Sequence, residues 1–315
     1  MGKMAFLFPG QGSQTVGMGK SISDSYVESK TIFEKADQTL HTPLSKLIFE
    51  GPQEELTLTT NAQPSLMTTS IAILESLKQY HITPDFVAGH SLGEYTALVA
   101  AGAFSFEEGV YAVRKRGEFM EEAVPSGEGT MAAVLGMDRN SLTAVTEEVT
   151  NEGNPVQLAN LNCPGQIVIS GSRKGVELAS IKAKEAGAKR VLPLDVSGPF
   201  HSSLMKPAAQ KLADVLDKMT INDAGIPVIA NVSADGMTDS EEIKQKLIEQ
   251  LYSPVLWEDS VNKMIELGVD TFIEIGPGKV LSGLVKKINR SVKTFSISDQ
   301  ESLLATVEAL KEETE

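Results

Sequence analysis

In Gly89-His90-Ser91-Leu92-Gly93 a serine stands between two glycines, directly after a short apolar run, Phe86–Gly89, and before a helix-prone segment, Gly93–Ala101. That is the strand-turn-helix setting of a nucleophile elbow. The glycines permit a tight turn that lifts the serine hydroxyl above a sheet edge, and the N–H groups opening the helix face any oxyanion that develops there. Such a serine needs a base, and the chain holds four histidines. His41 lies in a polar turn and His81 at a helix end before Pro84. His90 is inside the elbow, where its side chain is expected to leave on a different side from Ser91. His201, in Ser197-Gly198-Pro199-Phe200-His201, lies in a loop suited to a cleft, although a lone histidine is more often a satisfied core or surface group.

A hydrolase would add an acid between serine and histidine in chain order. Asp195 is the nearest acid before His201, but it closes an expected strand, and no compelling triad acid emerges. This argues against an ordinary lipase. Gly10-Gln11-Gly12-Ser13-Gln14 follows the first strand; it can offer a backbone N–H to a reacting oxygen or be a plain strand-helix turn, and it is not a P-loop. Val113-Arg114-Lys115-Arg116-Gly117 reads first as a solvated basic face. Arg116, however, borders an inward stripe of Val110, Val113, Gly117 and Met120, from which a guanidinium can grip a carboxylate with two prongs.

The elements that must position these groups alternate strand and helix. Strands are expected at Met4–Phe8 and Phe86–Gly89, and helices at Ser65–Tyr80 and Phe106–Ala123, before a polar hinge at Pro125–Gly129. From Met131 to Leu194 the order becomes β-α-β-β-α-β, a ferredoxin-like unit whose middle strands meet at a turn, Asn162-Cys163-Pro164-Gly165. The α/β pattern then resumes, with helix Ser203–Met219, strand Val228–Asn231, helices near Glu241–Leu251 and Trp257–Leu267, strand Thr271–Ile275, helix Val280–Asn289 and strand Val292–Ile297. The expected fold class is α/β: a hydrolase-like parallel-sheet domain, residues 1–127 and 197–315, carrying a ferredoxin-like α+β insert, residues 128–196.

Composition narrows the function. The 315 residues are 41% hydrophobic and 22% charged, as in a soluble globular protein. The 28 Lys+Arg against 42 Asp+Glu leave a formal charge of −14, which repels nucleic acid. A single cysteine, Cys163, excludes an internal disulfide and an all-cysteine zinc site; it fits a reducing cytoplasm and reads as a small packing residue. The apolar run after Met1-Gly2-Lys3-Met4 is too short for a signal-peptide core, Phe6 breaks a myristoylation motif, and no apolar stretch approaches a membrane span. A soluble, cytoplasmic protein without a membrane partner is expected.

With these residues in place, the chain closely resembles the malonyl-CoA:acyl carrier protein transacylases, the stand-alone acyltransferases of bacterial fatty-acid synthesis. The likeness runs nearly end to end. It rests on Gly10-Gln11-Gly12-Ser13-Gln14, Gly89-His90-Ser91-Leu92-Gly93-Glu94-Tyr95, Arg116-Gly117 and Asn160-Leu161-Asn162-Cys163-Pro164-Gly165-Gln166. It continues through Gly198-Pro199-Phe200-His201, the segment from Gln250 to Trp257, and Glu274-Ile275-Gly276-Pro277-Gly278. The resemblance implies Ser91 as nucleophile, His201 as its base and later acid, and Gln11 and Leu92 backbone N–H groups as the oxyanion hole. It implies that Arg116 pairs with the malonyl carboxylate, that His90 and Asn162 line the site, and that a backbone carbonyl near Gln250 orients the imidazole in place of an acid. Phe200 would exclude a branched acyl group. Malonyl-CoA and acyl carrier protein would be the substrates, with no metal, no cofactor and a monomeric chain. Because the carrier is acidic, a basic patch is wanted, and Lys286, Lys287 and Arg290 or Lys189 and Arg190 are its candidates. Three other readings of the same residues are a serine esterase or thioesterase, a carrier-binding scaffold without chemistry, and a transacylase serving polyketide synthesis.

Overall fold

The computed structural model describes residues 2–125 and 127–312; Met1, residues 313–315 and Ser126, which falls in the expected hinge, lie outside the described residues. The strands follow in chain order as β1 Lys3–Phe8, β2 Phe86–Gly89, β3 Gly129–Leu135, β4 Val156–Cys163, β5 Gln166–Ser172, β6 Arg190–Pro193, β7 Val228–Ile229, β8 Gly236–Met237, β9 Val269–Ile275 and β10 Lys293–Ile297. Six of them form one sheet in the order β10-β9-β1-β2-β7-β8, parallel except for β8, which pairs antiparallel with β7. The other four form an antiparallel sheet in the order β4-β5-β3-β6.

The central strands are buried on both faces. In β1, Phe6 and Phe8 enter one apolar core, while Ala5 and Leu7 enter the core on the opposite side of the sheet. The register pairs Phe8 with Gly89, so β1 and β2 end together and their following loops emerge side by side. Those loops carry Gln11 and Ser91. Ligands in open parallel sheets gather at such carboxyl ends, where neighbouring connections diverge.

The helix Phe106–Glu122 starts at a capping box, in which the Ser105 hydroxyl accepts from Glu108 N and the Glu108 carboxylate accepts from Ser105 N. Side-chain caps also open the two helices of the small sheet, Asp138 for Arg139–Asn151 and Ser172 for Arg173–Glu185. Strand β4 joins the two sheets. Leu158 and Leu161 pack in the small sheet's own core, Ala159 in the large core, and Cys163 in the opposite core with Trp257. A parallel bridge from Asn160 to Val255 completes the seam, with Leu161 N donating to Val255 O (2.9 Å) and Val255 N to Ala159 O (2.8 Å).

Several local expectations change. The helix expected from Ser65 begins at Thr59 and runs to Lys78 with Pro64 inside it; burial of Ala62, Gln63 and Pro64 outweighs the proline's lost N–H. The turn expected over Asn162–Gly165 contracts to Pro164-Gly165, with Gly165 at φ 71°, so Asn162 and Cys163 belong to β4. Strand Val228–Asn231 shortens to Val228–Ile229, freeing Asn231 from the ladder. The small helices between Lys20 and Thr57 and the helix Gln300–Glu312 are absent from the sequence expectation.

Candidate active site

Ser91 sits between β2 and the helix Leu92–Ala100 at φ 52°, ψ −108°, a backbone conformation rare for a residue with a side chain. Steric fit fixes the surrounding glycines. A Cβ on Gly89 would lie 1.9 Å from the Gly93 carbonyl carbon, and one on Gly93 would lie 2.1 Å from Phe8 O. Asn231 pins the turn from the other side, since its Oδ1 accepts from Ser91 N (2.8 Å) and its Nδ2 donates to Gly89 O (2.7 Å). With the Ser91 N–H engaged, the donor left at the helix start for an oxyanion is Leu92 N–H. On the facing loop the Gln11 side chain is tied to Thr59 Oγ1 (3.1 Å), which in turn contacts Ser197 Oγ at 3.0 Å.

His201 Nε2 lies 2.7 Å from Ser91 Oγ, and its Nδ1 lies 2.8 Å from the main-chain oxygen of Gln250. A carbonyl only accepts, so Nδ1 carries the proton and the Nε2 lone pair faces the serine hydroxyl. The backbone around the ring is held as tightly: His201 N donates to Leu251 O (3.1 Å), and Gln157 Nε2 donates to both His201 O and Tyr252 O (3.2 Å each). Asp195 lines the cavity, but it lies outside any strand, and the imidazole's Nδ1 bonds to the Gln250 carbonyl. Burial, followed by the nearby Arg116 guanidinium, pushes the imidazole down to about 3, with the Gln250 carbonyl opposing. At neutral pH His201 is therefore a neutral base.

Arg116 does not border the inward stripe of its helix; it lies within it, 0% exposed. Its Nη1 donates to Gln63 Oε1 (2.9 Å), and its Nη2 donates to Gln250 Oε1 (3.0 Å) and Ser91 Oγ (3.1 Å). The guanidinium also lies over the Tyr95 ring, 5.5 Å from its centroid. Burial lowers its pKa, opposed by Tyr95 and Glu94, and a guanidinium stays charged in proteins. Its buried companion is Glu94, whose carboxyl burial pushes up to about 7 against the pull of Asn231, Gln250 and Arg116.

A cavity of about 370 Å³ opens onto Ser91. Of the residues singled out in the sequence, Gln11, His90, Ser91, Phe200 and His201 line it, so His90 faces the same space as Ser91 and not a different side. Leu92, Arg116, Asn162 and Gln250 stand behind this lining, at most 9% exposed. Asn162 reaches the site through His90, its Oδ1 2.8 Å from His90 Nε2, and the other side of that imidazole leans on Trp257 at 5.5 Å. Burial lowers the His90 pKa as well. The lining lacks Lys and Arg and includes Glu54 and Asp195. Lys286 turns back to cap Val292 O, and Lys287 bonds Gln166 Oε1 at 3.2 Å, so neither projects toward the cavity. Among the described residues no three His, Cys, Asp or Glu side chains are grouped to hold a metal, and no helix is long and apolar enough to cross a membrane.

Sequence reasoning missed Gln63, Asn160, Gln157 and Asn231, and it gave Glu94 no role. Asn160 and Glu94 lie inside quoted motifs, which was their only signal. Gln63 lies ahead of Ser65, where the expected helix begins.

Residues 5–308 match the acyl transferase domain family. The chain is 68% identical over 313 residues to the malonyl CoA-acyl carrier protein transacylase of Bacillus subtilis (strain 168), covering 99% of each chain. The solved malonyl CoA-acyl carrier protein transacylase of Clostridium perfringens superposes with a TM-score of 0.96 at 44% identity, over 99% of this chain and 98% of that one. A malonyl-transacylase solved in complex with its type II PKS acyl-carrier protein superposes at 0.95 and 41% identity, over 98% and 99% of the two chains.

Proposed function

The chain belongs to the acyl transferase domain family, and on that premise we propose that it moves a malonyl group from malonyl-CoA to the phosphopantetheine thiol of an acyl carrier protein. One observation supports this above the rest: a neutral base and a buried cation converge on the same hydroxyl, His201 Nε2 at 2.7 Å and Arg116 Nη2 at 3.1 Å from Ser91 Oγ. The base makes the serine a nucleophile. The cation suits an acyl group that carries a carboxylate of its own.

In the first half-reaction Ser91 Oγ attacks the thioester carbon while His201 Nε2 takes its proton. Leu92 and Gln11 N–H groups receive the oxyanion. The C–S bond breaks, His201 returns the proton to the departing CoA sulfur, and a malonyl ester of Ser91 remains. The carrier's thiol then attacks that ester, its proton passing through His201 to Ser91 Oγ. The imidazole becomes a cation within each half-reaction, and the Gln250 carbonyl at Nδ1 stabilises that form. Arg116 grips the malonyl carboxylate, which takes the place of the Ser91 hydroxyl on the guanidinium. His90 and Asn162 hold the wall of the site, and Phe200 limits the room beside the acyl chain.

The exchange between thioester and ester is redox-neutral, which favours a cofactor-free reaction. The reading takes the chain as a cytoplasmic monomer with a core of residues 1–127 and 197–315 and an insert of 128–196; sedimentation checks the first point. Intact-protein mass after brief mixing with malonyl-CoA, beside acetyl-CoA and Ser91→Ala, tests the chemistry. The expected result is a malonyl adduct that needs Ser91 and disappears on adding carrier protein. Free malonate accumulating without an adduct would point to a hydrolase. The complex with a type II PKS acyl-carrier protein favours a second pathway for the same chemistry, so fatty-acid and polyketide carriers are compared in that assay.

A further inference from the structure

We propose that Glu94 is a positioning residue for acyl selection, acting on Arg116 through the side-chain amide of Gln250. The inference rests on the malonyl-transfer reading above. The Gln250 amide is fully buried, and each end has a different task. Its Oε1 accepts from Arg116 Nη2 at 3.0 Å, while its Nε2 donates to Glu94 Oε2 (2.8 Å), Ser91 O (2.9 Å) and Asn231 Oδ1 (3.3 Å). Turned over, the amide would set its NH₂ against the guanidinium, donor against donor, and its oxygen against three acceptors. Of those three acceptors only Glu94 can bear a charge, and its bond is the shortest.

Glu94 is 0% exposed, and its Oε2 also accepts from Asn231 N at 3.0 Å, which fixes the carboxylate in turn. Its Oε1 has no partner among the described residues, so one oxygen does all of the orienting. The two halves of Gln250 therefore serve different groups. The main-chain oxygen orients His201, whereas the amide, held by Glu94, sets the plane of Arg116 together with Gln63. An acyl group without a carboxylate makes no use of that plane. Loss of the Glu94 acceptor thus falls on malonyl transfer more heavily than on transfer of an uncharged acyl group, a split that a purely structural role would not produce.

The test measures formation of acyl-Ser91 from malonyl-CoA and from acetyl-CoA in Glu94→Gln and Glu94→Met, with folding checked by circular dichroism. Glu94→Met keeps the length and removes the acceptor; its malonyl-to-acetyl rate ratio is expected to fall at least about tenfold, as for a buried hydrogen bond to a charged group. Glu94→Gln can place its own oxygen where Oε2 lies and is expected to restore the ratio. A folded Glu94→Met with the wild-type ratio would overturn the proposal, as would a Glu94→Gln equally impaired. Should Glu94→Met not fold, Glu94→Asp retracts the acceptor by one methylene, and an unchanged ratio there overturns it too. Failure of the underlying reading looks different: the wild-type protein itself would form no malonyl ester, or would load acetyl as readily.

Discussion

Replacing Arg116 tests the link between the buried cation and substrate choice. A bidentate guanidinium-carboxylate pair contains two hydrogen bonds to charged groups, each worth about 1.5–3 kcal/mol. Arg116→Lys keeps the charge and loses the fork, so kcat/KM for malonyl-CoA should fall about 10- to 150-fold. Arg116→Ala loses both bonds and should cost about 10² to 10⁴. Stability changes as well: alanine leaves Gln63 Oε1 and Gln250 Oε1 without their guanidinium donor, at about 1–3 kcal/mol each, offset by removal of a buried charge. Rates are therefore compared at temperatures well below each variant's melting point. Acylation of Ser91 is followed by quenched-flow mass measurement with malonyl-CoA and acetyl-CoA in parallel, and acetyl transfer should not fall with malonyl transfer. A second readout uses an uncharged sulfonyl fluoride that labels Ser91. In the wild type His201 stays unprotonated down to about pH 3, held there by burial and then by Arg116. Without the cation its pKa rises, so the acid limb of labelling should move to higher pH in Arg116→Ala. Equal losses for the two acyl groups, or an acid limb that moves down, would refute the reasoning.

Three further outcomes follow from the same geometry. Asp195→Asn should change kcat by less than about twofold, because Gln250 O and not an acid orients His201; a loss near that of a triad acid, about 10⁴, would contradict the assignment. Gly93→Ala sets a Cβ 2.1 Å from Phe8 O, a backbone atom that cannot swing away, and should destabilise the protein by about 3 kcal/mol or more in urea titrations, or prevent folding. Two of the perturbed buried groups oppose each other in pH-dependent stability. His201, lowered from 6.5 to about 3, makes stability rise with pH between those values, whereas Glu94, raised from 4.5 to about 7, makes it fall with pH between 4.5 and about 7. The slopes of these two groups oppose each other from pH 4.5 to 6.5. Glu94→Gln removes the falling Glu94 slope, so its stability relative to wild type should rise with pH by about 1.4 kcal/mol per unit between 4.5 and about 7, measured as urea midpoints.

The parts of the site legible in the sequence were those whose chemistry is written locally. The elbow announces itself because its two glycines flank the serine within five residues, although only Gly89 is forced by local backbone, Gly93 being forced by Phe8 O on the neighbouring strand. The β-α-β-β-α-β order is carried by hydrophobic period and by one hairpin turn. His201 emerged by elimination among four histidines, and Arg116 by its place beside Gly117. The supporting groups were not legible, because their roles exist only after closure: Asn231 reaches the elbow from 140 positions away, and Gln157 reaches His201 from the other sheet. The helix expected over Ser65–Tyr80 rests on the spacing of Leu66, Ile71, Leu74 and Leu77, whereas the extra turns from Thr59 depend on tertiary burial of Ala62, Gln63 and Pro64. The helix Gln300–Glu312 was readable, with Leu303, Thr306, Val307 and Leu310 buried at helical spacing.

The seam between β4 and Val255 sets the rules for recombining this enzyme with its relatives. Eight consecutive residues, Gln250 to Trp257, orient the imidazole, complete the strand bridge and support His90. A chimaera that exchanges only residues 128–196 would leave Val255 facing a foreign strand edge and Gln157's carbonyl partners out of register. The small sheet is thus inherited together with a segment that the gene encodes more than fifty codons downstream. Crossovers that respect both pieces should give active hybrids, and crossovers that split them should give folded proteins with a misdirected base.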